Sequence, residues 1–130
     1  IDLANQELEA NPGLDSTYVL LGDIYRDMKK YVEAEKYYKE GQKRNQNSID
    51  AIMGLAFISS KKNQYEVALD LYKKASSQEP NNAIIHKNLG DTYRNLGQGK
   101  LAVESYKVFL ELEPETKYKA EIEKYIRLLK

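Results

Sequence analysis

The chain has 130 residues, carries 20 basic and 20 acidic side chains for a formal net charge of zero, and contains no cysteine. Balanced charge argues against a nucleic-acid partner, which selects a basic footprint, and gives no reason for attraction to an anionic membrane. Lack of cysteine excludes disulfides, thiolate metal sites and a cysteine nucleophile, and no run approaches the ~20 apolar residues of a membrane span.

The predicted elements are all helical, because apolar residues recur at spacings of three and four and the alternation of a strand is absent. Asp2 to Ala10 reads as a helix whose Leu3, Ala4 and Leu8 need a cover. Asp15 is read as the cap of a helix running to about Lys29, with Tyr18, Leu21, Tyr25 and Met28 as its buried stripe. After a turn at Lys29-Lys30, a second helix runs from Tyr31 to about Arg44, with Ala34, Tyr37, Tyr38 and Gly41 inward. Ser48 caps about Ile49 to Lys62, Asn63 suits the left-handed end of a helix, and Tyr65 to about Gln78 follows. Asn82 is read as the cap of about Ala83 to Leu96, Gly97 as its end, and Gly99 to about Glu113 as the next helix. A last helix is expected over Thr116 to Leu129, with Tyr118, Ile122, Tyr125, Ile126 and Leu129 on one face.

These elements repeat every 34 residues with no insertion. Leu21-Gly22, Leu55-Ala56 and Leu89-Gly90 stand one period apart, as do Ala34, Ala68 and Ala102, and Tyr38, Tyr72 and Tyr106. Pro80 and Pro114 are likewise one period apart. A period between roughly 20 and 50 residues marks a stack of like units, which offers a long surface in place of a catalytic pocket. The small residues at Gly22, Ala56 and Gly90 imply a close approach, since glycine inside a helix costs about 1 kcal/mol against alanine. The domain boundaries that follow are 1–14 for the second helix of a truncated repeat, 15–48, 49–82 and 83–116 for three repeats, and 117–130 for a capping helix, in one domain. Glu123-Lys124 replaces the Leu-Gly step in the cap, which suits the end of a stack. Gly99 replaces the aromatic of Tyr31 and Tyr65, so a looser turn with fast amide exchange is expected at Gly97-Gln98-Gly99.

The pattern resembles the tetratricopeptide repeat family, through Leu21, Gly22, Tyr25, Ala34, Tyr38 and Gly41; Leu55, Ala56, Ala68, Tyr72, Ala75 and Pro80; and Leu89, Gly90, Tyr93, Ala102, Tyr106 and Pro114. The resemblance implies an all-α, right-handed superhelical solenoid of antiparallel helix pairs, about eight helices in all. It also implies that the first helix of each pair lines a concave groove holding a peptide or helix of a partner. At ~100° per residue, positions two away from a buried one point to the other side. That rule places Val19, Asp23 and Arg26 on the groove face, then Met53, Phe57 and Lys61, then Ile84, Lys87, Asn88, Asp91 and Arg94. Phe57 stands out because the same position is aspartate in both neighbouring repeats, and Met and aromatic surfaces anchor partners.

The family's clamp for the C-terminal carboxylate of heat-shock chaperones uses Lys, Asn and Arg. Val19, Asp23 and Asp91 depart from it, and the two aspartates would repel a carboxylate. The reading is therefore a non-enzymatic scaffold or adaptor for a protein or peptide partner. No catalytic residue, cofactor, metal, nucleic acid or membrane insertion is expected. The alternatives are self-assembly through Leu3, Ala4, Leu8 or the C-terminal helix, and a regulatory repeat segment of a larger enzyme. The reading favours a cytoplasmic protein, though nothing in the sequence names the compartment. His86, the single histidine, sits at the position of Tyr18 and Ile52 and is expected to pack.

Overall fold

The computed structural model describes residues 15–130, and every regular element among them is an α-helix. There are seven helices among the described residues instead of about eight. The helix expected over Asp2 to Ala10, with Leu3, Ala4 and Leu8, lies outside them. The chain divides into two compact units after Asn63. The first contains α1 (Asp15–Asp27), α2 (Tyr31–Arg44) and α3 (Ile49–Lys61). The second contains α4 (Tyr65–Gln78), α5 (Ala83–Asn95), α6 (Gly99–Leu112) and α7 (Lys119–Leu129).

In the first unit α1 and α2 run antiparallel, and Asn45 Nδ2 after α2 donates to Asp15 Oδ2 at the start of α1, 3.4 Å away. The glycines of this unit show what the small positions are for. A Cβ on Gly22 would lie 2.6 Å from the Tyr38 ring, and one on Gly54 of α3 would overlap the same ring. Tyr38 is fully buried between them, so the close approach is of helix backbone to an aromatic face. Leu21, Ile52 and Ile58 complete the core around it, each worth about 1.5–3 kcal/mol of apolar burial. Ser48 caps α3 as expected, its Oγ accepting from the Ala51 amide at 3.3 Å. Beyond α3, Lys62 Nζ reaches back to Glu35 of α2 at 2.5 Å, and Lys39 holds the other oxygen of that carboxylate at 2.9 Å.

The second unit repeats the arrangement. Tyr106 packs on Gly90, whose added Cβ would overlap the ring, and Ile85, Phe109 and Ile122 are fully buried beside it. Phe109 stands where the first repeat has Gly41 and the second Ala75, so bulk enters the core here from the second helix of the pair. At α7, Ile122 is buried while Glu123 and Lys124 are exposed. That helix starts at Lys119, not Thr116, because the Thr116 side chain and carbonyl accept from the Tyr118 and Lys119 amides, forming a turn.

Three further details of the sequence reading change. Met28 is 46% exposed and leaves the buried stripe, because the left-handed Lys29 (φ 60) ends α1 at Asp27. Asn82 does not cap α5 with its side chain; its Nδ2 donates to Glu79 at 3.0 Å. The third interhelix turn is not looser. Lys29, Asn63 and Gly97, one period apart, share the same left-handed backbone, with φ 60, 61 and 74. The Gln98 amide reaches the Tyr93 carbonyl at 2.9 Å, as the Lys30 amide reaches Tyr25. Gly99 serves a different purpose: a Cβ there would lie 3.0 Å from the Leu129 carbonyl, so its smallness makes room for the end of α7.

Candidate functional site

The first unit presents Phe57 on α3 at intermediate burial, with two cations over its ring. The Arg26 guanidinium lies 5.6 Å and the Lys61 ammonium 5.3 Å from the ring centroid, and the Tyr31 ring is tilted against it at 6.2 Å. A cation over an aromatic face contributes about 0.5–1 kcal/mol at an exposed site. Arg26 is held from behind. Its Nη1 lies 3.5 Å from Asp23 and its Nη2 3.3 Å from Asp27, and Asp23 also accepts the Tyr38 hydroxyl at 2.5 Å. A chain of groups therefore runs from the buried phenol of Tyr38 through the Asp23 carboxylate and the Arg26 guanidinium to the face of Phe57. Burial, reinforced by the hydrogen bond to Asp23, pushes the Tyr38 phenol well above its ordinary pKa.

The second unit contains the same chain of groups. Tyr106 donates to Asp91 at 2.6 Å, and Arg94 lies 3.6 Å from Asp91 with its Nε donating to the Tyr106 oxygen at 3.1 Å. The Arg94 guanidinium lies 4.0 Å over the Tyr125 ring of α7. Burial and Asp91 raise the Tyr106 phenol likewise. Tyr106 and Tyr125 also stack at 5.8 Å, and the Tyr125 hydroxyl donates to Glu121 at 3.0 Å. Lys87 bridges to Asp91 at 3.3 Å and lies 4.6 Å over Tyr118. Ile84 is 47% and Leu128 70% exposed.

The groove residues named from sequence thus fall into different settings. Phe57, Arg26 and Lys61 come together around one ring, and Lys87, Asp91 and Arg94 around two others. Asp23 and Asp91 are internal acceptors for buried phenols as much as surface charges. Met53 and Asn88 are at intermediate burial and Ile84 is open. Val19 is not on an open face: it is 7% exposed and its Cγ2 packs where a Cβ of Gly41 would come to 3.2 Å. The angular rule takes direction from one buried face, that of Leu21 and Tyr25, whereas α1 is covered by α2 on one side and α3 on another, and Val19 faces the former. Sequence reasoning missed Tyr125 and Leu128 as surface features. The signal is present, since Phe57 and Tyr125 are two periods apart, but the sequence reads the last helix as a cap or a self-assembly surface and not as a counterpart of the Phe57 position. His86 bonds the Pro80 carbonyl at 2.7 Å, a local role.

Among the described residues no group of His, Asp or Glu is placed to hold a metal ion, and no helix is long and apolar enough to cross a membrane. A family model described as "Tetratricopeptide repeat" matches residues 15–48 and 86–116, and a second, "TPR repeat", matches residues 60–97. This chain is a tetratricopeptide repeat protein. Its all-α stack of antiparallel helix pairs is the architecture of that family and that of a protein–protein interaction module.

The relatives of this tetratricopeptide repeat protein are diverse. It is 27% identical over 103 residues to "Probable UDP-N-acetylglucosamine--peptide N-acetylglucosaminyltransferase SPINDLY" of Petunia hybrida, matching 79% of this chain but only 11% of that protein. It is 35% identical over 71 residues to the photosystem I assembly protein Ycf3 of Prochlorococcus marinus (strain NATL1A), which is 52% of this chain and 41% of that protein. The chain therefore spans about a tenth of the one and about two fifths of the other. Among solved structures it is similar to the first tetratricopeptide domain of Spaghetti (RPAP3) bound to an HSP90 peptide, at a TM-score of 0.82 and 21% identity over 88% of this chain and 92% of that one.

Proposed function

We propose that this chain is a non-enzymatic scaffold or adaptor that binds a protein segment on the open face of its first-in-pair helices. The observation that carries the reading is Phe57. A large aromatic side chain stands opposite the Leu55 core side, at intermediate burial, with Met53 one turn away and Arg26 and Lys61 over its ring. Packing does not require it there, since both neighbouring repeats place aspartate at that position. In the first unit Met53 and Phe57 supply apolar contact beside the Arg26 and Lys61 cations, and in the second Ile84 does so alongside Lys87 and Arg94. A similar fold, that of Spaghetti, carries a bound peptide, which supports a peptide or protein occupant as a class.

The carboxylate clamp is not part of this proposal. Val19 is buried and Asp23 and Asp91 are negative where that clamp needs cations and amides. The test is affinity capture from the native cell with wild type and the Met53→Ala/Phe57→Ala double variant, the lost proteins being identified by mass spectrometry. Selective loss of one partner supports the reading, and an unchanged set of captured proteins overturns it. A second reading, a regulatory repeat segment of a larger enzyme, is favoured by the match to about a tenth of the petunia transferase. It predicts that the captured partner, or a domain on the same polypeptide, is the catalytic component.

A further inference from the structure

The two chains of groups are related by an exact shift of two periods. Tyr38 corresponds to Tyr106, Asp23 to Asp91, Arg26 to Arg94, and Phe57 to Tyr125, each pair 68 residues apart. Each chain lies wholly within its own compact unit. The repeat between them departs from the pattern at two places: Phe57 replaces the aspartate and Ser60 replaces the arginine. The module thus has a two-repeat period superimposed on the 34-residue one, and it yields two sites of the same construction.

Resting on the scaffold reading above, we infer that each unit carries one subsite, Arg26 on Phe57 and Arg94 on Tyr125, for an uncharged aromatic side chain of the partner, and that neither subsite reads a carboxylate. The charges decide this. Around Phe57 the cations Arg26 and Lys61 are matched by Asp23 and Asp27. At Tyr125 the Arg94 guanidinium over the ring is matched by Asp91, and Glu121 accepts the Tyr125 hydroxyl. Neither ring is left in a net positive field, so an arriving carboxylate would lose water and meet two carboxylates already in place.

A planar, neutral group fares differently. A guanidinium pinned by its aspartate presents a flat, weakly hydrated face that stacks on aromatic rings. That face needs no ordering at the moment of binding, because Asp23 and Asp91 have already fixed its direction. Leu128, 70% exposed on α7 and placed where Arg26 and Arg94 stand in the earlier repeats, adds apolar surface beside Tyr125. Asp23 and Asp91 are positioning residues in this account; they act on the partner only through the arginines.

The experiment is amide and arginine Nε–H NMR titration of the whole chain with two small probes, N-acetyl-tryptophanamide and N-acetyl-glutamic acid amide. The tryptophan probe is expected to shift the Arg26 and Arg94 side-chain signals and the amides at Phe57 and Tyr125, and the glutamate probe to leave them in place. Asp23→Asn is expected to weaken the tryptophan probe about two- to five-fold at the Arg26 site, as loss of an exposed cation–π contact would, with the Arg94 site unchanged. Asp91→Asn should do the reverse, so each unit serves as the folding control for the other. Preference for the glutamate probe, absence of any shift at both sites, or equal weakening of both sites by either variant would overturn the inference. Because this readout uses no cellular partner, its failure is separable from failure of the scaffold reading, which the double-variant capture decides.

Discussion

Gly22→Ala tests whether the small position of the repeat exists to seat an aromatic ring. The added methyl would lie 2.6 Å from two carbons of the Tyr38 ring, about 1 Å inside an ordinary carbon contact. Tyr38 cannot swing away easily, because it is fully buried and Gly54 closes on its other side. Overpacking of this kind costs about 1–3 kcal/mol. Helix propensity works the other way, favouring alanine by about 1 kcal/mol. The net expectation is a loss of about 1 kcal/mol, up to about 2, which is a sizeable part of the stability of a domain of this size. Urea denaturation followed by far-UV circular dichroism should show the midpoint falling by about 0.5–1 M. Gly41→Ala is the control, since its Cβ would sit 3.2 Å from one Val19 methyl, and it should be near neutral. A Gly22→Ala protein more stable than wild type would refute the clamped-ring account. It would also weaken the account of the binding face, since Tyr38 begins the chain of groups that ends at Phe57.

Three further outcomes follow from the same geometry. Tyr38 and Tyr106 have raised phenol pKa values, so they contribute stability that is fully present below the unfolded phenol value near ~10 and lost as pH rises through the folded value. Absorbance titration should find these two phenols still protonated when exposed ones have ionised, and Tyr38→Phe should remove its share of the alkaline loss. Glu35 is held below the usual carboxylate range, first by its hydrogen bond to Lys62, so its contribution is present above the unfolded value and lost as pH falls through the folded one. Lys62→Ala should flatten that acid dependence by a few tenths of a kcal/mol, measured by urea melts at pH 7 and pH 3. At the third turn, Gly97→Asn should be tolerated and Gly97→Val should cost more, because no atom lies near the missing Cβ and only the φ of 74 matters. Hydrogen exchange should find the Lys30 and Gln98 amides equally protected.

The helices were legible because their periodicity is local, and the period made each repeat check the others. Ends were read less well. Met28 continues the apolar spacing of α1, yet the chain turns at Lys29, a non-glycine residue in a left-handed conformation that its side chain does not advertise. Gly99 reads as a loosening in sequence because its reason lies 30 residues away, in the carbonyl of Leu129. For the proposed face, angle arithmetic singles out Phe57, Arg26 and Arg94, which the structure leaves at intermediate burial, but it cannot say which side of a helix a second neighbour covers, and so it exposes Val19, which is buried. It also read Asp23 and Asp91 as surface charges, since the hydroxyls that engage them come from another helix 15 residues on. The twofold pattern is present in the sequence as the 68-residue spacing of Phe57 and Tyr125, and the contact of Arg94 with the Tyr125 ring gives it a structural meaning.

The most direct measurement of the central claim is a calorimetric titration of the purified partner, once captured, against wild type and Phe57→Ala. The account predicts a loss of about 1–3 kcal/mol, roughly 5- to 150-fold in Kd, with the far-UV spectrum unchanged. Equal affinity of the two proteins for that partner would contradict it.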